Sequence, residues 1–177
     1  MTNQILKAIK SRRVSRGLQD APIERNIIEQ VLEAGRWAPS AGNRRPHRFV
    51  VVQDQLTLRL LRMVCPGMFQ HPTAIIIICR DLDELSRHGI PPHEKTMYID
   101  VGTAAENMIL AAHSLGLGTG PVTSFSKAGV SEILNMPHRL IPEMILCMGW
   151  PIPGKQQASG KWRVIRWEDL TFWETFK

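Results

Sequence analysis

Residues 38–52 read APSAGNRRPHRFVVV, and the order of parts in this stretch governs how the rest of the chain is read. Pro39, Ser40, Gly42 and Asn43 supply turn chemistry, Arg44, Arg45 and Arg48 supply cations, and Phe49 to Val52 form an apolar, β-branched run suited to a buried strand. A turn that delivers cations to the start of a core strand holds an anion-binding group on a rigid element. A second basic cluster, Ser11-Arg12-Arg13-Val14-Ser15-Arg16, lies upstream. Together the two clusters predict a site for a large anionic cofactor.

Composition bounds the reading. A chain of 177 residues with 44% hydrophobic and 21% charged residues predicts one globular domain, residues 1–177, with a real core. Its net charge of +6 favours anionic partners without choosing among phosphorylated cofactors, nucleic acid and acidic membrane surfaces. Cys65, Cys79 and Cys147 are widely spaced and sit in apolar settings, so they read as buried thiols of a reducing compartment. The N-terminus is too weakly apolar for a signal peptide, which makes a soluble, cytoplasmic protein the expectation.

Four helices are predicted: a short one over residues 3–10, one from Pro22 to Trp37, the longest from Thr96 to Leu115, and a short one from Lys127 to Leu134. Asp100, Glu106, Asn107 and His113 make a membrane span improbable for the longest. Phe49–Val52, Ala74–Cys79 and Met144–Met148 read as central strands buried on both faces. This order of helices and strands fits an α+β or α/β layered domain.

Arg12, Arg13 and Arg16 match the planar fork that phosphate favours, although a solvated basic turn is an equal reading from the cluster alone. In Gly160-Lys161-Trp162-Arg163-Val164, extended geometry places Lys161 and Arg163 on one face, either as a phosphate clamp or as a charged edge strand. Gly116-Leu117-Gly118-Thr119-Gly120-Pro121 follows a helix, so it is a helix stop and a ligand-approaching loop rather than a dinucleotide fingerprint. The six histidines show no metal-ligand spacing, and no P-loop or GxSxG elbow is present. Trp150, Trp162, Trp167 and Trp173 are expected to pack in the core or at an interface.

Four separated segments, RRVSR, APSAGNRRP, DVGTAAENMILAAHSLGLGTGPV and the closing MGWP with GKWR, resemble the nitroreductase family of FMN-dependent oxidoreductases in order and spacing. The resemblance implies an α+β three-layer sandwich with a mainly antiparallel central sheet flanked by helices, assembled as a homodimer with FMN at the subunit interface. It implies that Arg12, Lys161 and Arg163 hold the FMN phosphate and that Arg16 lies near flavin N1 and the C2 carbonyl. Pro39, Ser40 and Asn43 would approach the flavin from the other subunit. Pro121 to Ser124 would run along its edge, with Thr123 and Ser124 amides near N5 and the C4 carbonyl. Arg13, Val14, Ala41 and Val122 complete the implied FMN lining. No side chain is required as acid or base; NADPH or NADH would serve as reductant, and a nitroaromatic, a quinone or a similar small molecule as acceptor.

Departures from the family pattern fall on the phosphate side and on the acceptor side. Val14 stands where a serine is usual, which removes a hydroxyl donor unless Ser15 substitutes, and Arg45-Pro46-His47 replaces Gln-Pro-Trp. Arg44, Arg45 or Arg48 is therefore expected to favour an anionic acceptor or the extra phosphate of NADPH. The alternatives are a flavin-destructase or azoline-dehydrogenase member of the same fold, and a flavin binder without turnover. A nucleic-acid module is disfavoured, because no aromatic or glycine interleaves the Arg12–Arg16 cations.

Overall fold

The computed structural model of the chain describes residues 3–154 and 165–175. Four antiparallel strands, β1 (His47–Val52), β2 (Ala74–Asp81), β3 (Gly118–Val122) and β4 (Leu140–Gly149), form one sheet in the order β1-β2-β4-β3. Around it run α1 (Gln4–Ser11), α2 (Arg25–Arg36), α3 (Gln55–Val64), α4 (Leu82–Arg87), α5 (Thr96–Ser114) and α6 (Lys127–Ile133).

Strand β2 is buried along its whole length, and its alternation divides the core. Ala74, Ile76 and Ile78 pack with Leu146 and Met148 against Val31 of α2 and Val101, Ala105 and Met108 of α5. Ile75, Ile77 and Cys79 face the other way, toward Leu58 and Leu61 of α3 and Val130 of α6. Helices therefore cover both faces, as the layered reading expects. The long strand pair β2–β4 carries a bulge: Ile78 opposes Met144 and Cys79 opposes Pro142, so Glu143 is the extra residue. A bulge re-aims side chains, and Glu143 meets Arg80 at 2.6 Å with both side chains buried.

Several expectations change. The helix after Pro22 starts only at Arg25, because the carbonyl of Pro22 accepts from Trp150 Nε1 and that of Ile23 from Gln53 Nε2, which holds this segment extended. Strand β1 lies at the sheet edge with Val51 exposed, so burial on both faces holds for β2 but not for β1. The glycine-rich segment does stop α5: Gly116 has φ +84°, Gly116 N–H donates to His113 O, and Leu117 N–H donates to Ala112 O. It then becomes strand β3 rather than a loop. Pro121 is tolerated there because β3 lies at the other edge of the sheet. Helices α3 and α4 are additional to the four the sequence predicts. Trp167 and Trp173 lie exposed, so neither belongs to the core. The three cysteines are buried as expected, and burial pushes Cys79 and Cys147 up to about 12 and Cys65 to about 11.

Candidate functional site

Helix α1 ends where its last turn delivers the basic cluster. Asn3 caps its start through Oδ1, accepting from the N–H groups of Ile5 and Leu6, and Arg12 closes it by donating its own N–H to Ala8 O. The chain then turns extended and Ser15 N–H donates to Thr119 O at 2.8 Å, which bridges Val14 to Thr119 in a parallel sense. This lays the N-terminal segment along the outer edge of β3. A cleft of about 200 Å³ forms beside the junction, lined by Ser11, Arg12, Arg13, Ser15, His113 and Thr119 among others. Ser11 Oγ and His113 Nε2 are 2.8 Å apart on its wall, and Arg12 lies 3.8 Å from Glu106. The parallel bridge runs the chain so that Arg16 heads toward Pro121. Arg16 is exposed, rests over the Phe69 ring at 5.9 Å, and has no acidic partner among the described residues.

The glycines of β3 have a different role from the one expected. A Cβ on Gly118 would meet Ser15 Oγ at 2.6 Å, and one on Gly120 would meet Gln70 Nε2 at 1.7 Å. Ser15, Leu18 and Gln70 occupy that space, so these glycines admit chain against chain rather than ligand against chain. Beyond them Pro121, Thr123 and Ser124 are exposed and Val122 is buried. Gly67 N–H donates to Ser124 O at 3.0 Å and supports this run from below. Gln70, buried beside Gly120, carries no motif in the sequence; only the sheet brings it to Ser15.

The loop of residues 38–45 is held by one face of α5. Asp100 Oδ1 accepts from Ala41 N–H at 3.1 Å, Thr103 Oγ1 donates to Pro39 O at 3.0 Å, and Asn107 Nδ2 donates to Ala34 O at 3.2 Å. Spacings of three and four residues put these side chains on one helical face. Ser40 Oγ accepts from Arg45 N–H at 3.0 Å, and Gly42, Asn43 and Arg45 take positive φ, which the tethers hold in place. The loop and the basic cleft share α5: Asp100 and Thr103 hold the loop, while Glu106 lies beside Arg12 and His113 beside Ser11. One cleft thus gathers Arg12, Arg13 and Ser15 beside Thr119, with Val14 bridged to Thr119, and its lining includes neither Pro121 to Ser124 nor Pro39, Ser40, Ala41 and Asn43. Lys161 and Arg163 lie outside the described residues.

Of the three arginines in the loop and strand, Arg48 is already neutralised. It lies 3.2 Å from Asp81 and 3.1 Å from Glu84, while Arg139 holds Asp81 from the other side at 2.7 Å. Burial raises the Asp81 carboxyl, but Arg139 and Arg48 outweigh it and hold the group below its ordinary value. Arg48 is therefore withdrawn as a ligand-selecting cation. Arg44 and Arg45 have no acidic partner among the described residues, and Arg45 Nε is buried without a hydrogen bond.

His47 is buried, and its Nδ1 has no partner. Burial lowers its pKa; nearby Asp100 opposes this, and Arg48 and Arg45 reinforce it. The unfolded chain then binds a proton more readily than the folded one, so stability should fall as pH drops below about 6.5. Urea midpoints taken between about pH 7 and about pH 5 should show that slope, and His47→Phe should flatten it. An unchanged slope would assign the acid sensitivity to other groups.

Comparison with known proteins settles the lineage. The family model described as the nitroreductase family matches residues 9–65 and 60–150. This chain belongs to the nitroreductase family. A relative from Archaeoglobus fulgidus, provisionally named an NADH dehydrogenase/NAD(P)H nitroreductase, is 33% identical over 155 residues, spanning 84% of this chain and 86% of its own. The FMN reductase [NAD(P)H] of Bacillus subtilis is 25% identical over 165 residues, spanning 84% of this chain and 66% of its own. A Desulfovibrio desulfuricans protein of the same fold, solved in complex with FMN, superposes with a TM-score of 0.82 at 27% identity, covering 100% of both chains. The antiparallel four-stranded sheet with helices on both faces is thus the nitroreductase fold.

Proposed function

We propose that this chain is an FMN-dependent NAD(P)H oxidoreductase that works as a homodimer. The observation that carries the reading is the division of the site. Arg12, Arg13 and Ser15 line one cleft beside β3, while the Pro39–Asn43 loop is tethered separately to α5 through Asp100 and Thr103 and does not line that cleft. A second copy of the chain would bring that loop to the first copy's cleft. Exposed Ile5, Leu6 and Ile9 on α1, with Trp167, Leu170 and Trp173 near the C-terminus, are apolar surface suited to such an association.

The donor set fits FMN. Arg12 and Arg13 offer forked cations to a phosphate, and Ser15 lines the same cleft, where it would supply the hydroxyl that Val14 lacks. Lys161 and Arg163 would add the second clamp. Bound there, FMN supplies hydride acceptance at N5 and onward electron transfer. Arg16, exposed and without an acidic partner, would hold a fixed cation against the N1 and C2 edge, where negative charge accumulates on reduction. Thr123 and Ser124 would present backbone amides to N5 and the C4 carbonyl. Reductant and acceptor would then use one open face in turn, with no side-chain acid or base.

The purified protein should be yellow, and NADPH or NADH should bleach it without oxygen. A colourless protein that takes up no added FMN would sink the reading. A yellow protein that neither nucleotide bleaches would be a passive flavin binder.

A further inference from the structure

Beyond Arg16 a second opening continues away from the basic cleft. A cleft of about 550 Å³ lies between α3 and the segments around Leu18 and His71, with Leu18, Leu58 and Pro72 as apolar floor. Arg59 and Arg62 line it from α3, three residues apart and so on one helical face. Neither has an acidic partner among the described residues, and Asp20 is the single carboxylate in the lining.

The cationic side of this cleft is arranged to donate. Arg62 Nη1 lies 2.5 Å from His71 Nδ1. A guanidinium cannot accept, so Nδ1 does, and the imidazole carries its proton on Nε2 as a further donor. Arg62 Nε is buried with no hydrogen-bond partner. A smaller opening of about 360 Å³, lined by Arg16, Gly17 and Ile152, shares Leu18 and His71 with the larger one. The larger groove, which holds Arg59, thus adjoins the opening that holds Arg16 at Leu18 and His71. Its volume is in the range of small-molecule sites, and the forked donors of Arg59, with the Arg62 Nη2 that His71 does not engage, suit a phosphate dianion.

We propose that this groove binds the phosphorylated adenosine end of NADPH, with Arg59 and Arg62 gripping the 2′-phosphate while the nicotinamide end lies toward Arg16. The proposal rests on the oxidoreductase reading for its choice of nucleotide. It separates the reductant's phosphate from Arg44 and Arg45, which then remain for the acceptor.

The test is calorimetric titration of the FMN-loaded protein with adenosine 2′,5′-bisphosphate and with adenosine 5′-monophosphate. The bisphosphate should bind about tenfold more tightly or better, and Arg59→Gln with Arg62→Gln should remove that margin without loss of FMN. Arg59→Glu alone is an exposed change that serves if the pair misfolds. Preference for NADPH over NADH should fall by the same factor. Equal binding of both probes, an undiminished margin in the variants, or a margin abolished by Arg45→Ala instead would each overturn the proposal. Titration needs no turnover, so a protein that binds the bisphosphate yet is not bleached would refute the redox reading and leave the groove standing.

Discussion

Replacing Arg12 with alanine is expected to weaken FMN binding by about 10- to 100-fold, the range of a lost hydrogen bond to a charged group. Arg12 lines the cleft beside the β3 junction, and its one carboxylate neighbour, Glu106, lies at 3.8 Å with more than half of its side chain exposed. That pairing is screened by solvent and easily displaced by a phosphate. Arg12→Lys should recover only part of the affinity, because an ammonium cannot reproduce the planar fork. Flavin fluorescence on titration into the stripped protein would measure each constant. Affinity equal to that of the unaltered protein would place the phosphate elsewhere. Arg163→Ala is expected to act in the same direction, because the family resemblance assigns Arg163 to the same phosphate.

The largest effect on stability should come from Glu143→Ala, at about 3–5 kcal/mol. The bulge turns Glu143 onto Arg80 at 2.6 Å, and Lys127 also reaches it. Arg80 is buried, donates to Pro92 O and lies 5.2 Å from the Tyr98 ring centroid, so it cannot swing out to water without breaking those contacts. Removing the carboxylate leaves a buried, uncompensated guanidinium. Lys127→Ala removes a half-exposed partner and should cost at most about 1 kcal/mol. Urea denaturation with an unchanged slope separates the two. A Glu143→Ala loss no larger than that of Lys127→Ala would show that the bulge positions nothing of consequence.

Legibility differed from element to element for physical reasons. Ala74 to Cys79 was readable because an uninterrupted β-branched run has few alternatives to a central strand. Strand β3 was not, since GTGPV has almost no strand propensity. It is extended because β4 and Val14 pair with it and because Ser15 and Gln70 fill the space its glycines leave. Helix α3 did carry a readable signal: Asp54 caps it by accepting from Thr57 N–H, and Leu58 and Leu61 are its buried positions. The polar line Asp100, Thr103, Asn107 was visible as helical spacing, but what it grips lies some sixty residues away or more.

In APSAGNRRPHRFVVV a turn, a set of cations and a strand follow from local preference alone, because proline, glycine and β-branched residues restrict the backbone locally. Which of those cations are still available depends on the folded chain. Arg48 is neutralised by Asp81 and Glu84, residues brought to it by the β1–β2 pairing and the first turn of α4, whereas Arg45 keeps a buried, unpartnered nitrogen. Backbone preference is a property of neighbours along the chain. Charge compensation depends on distance in space, and no local pattern encodes it.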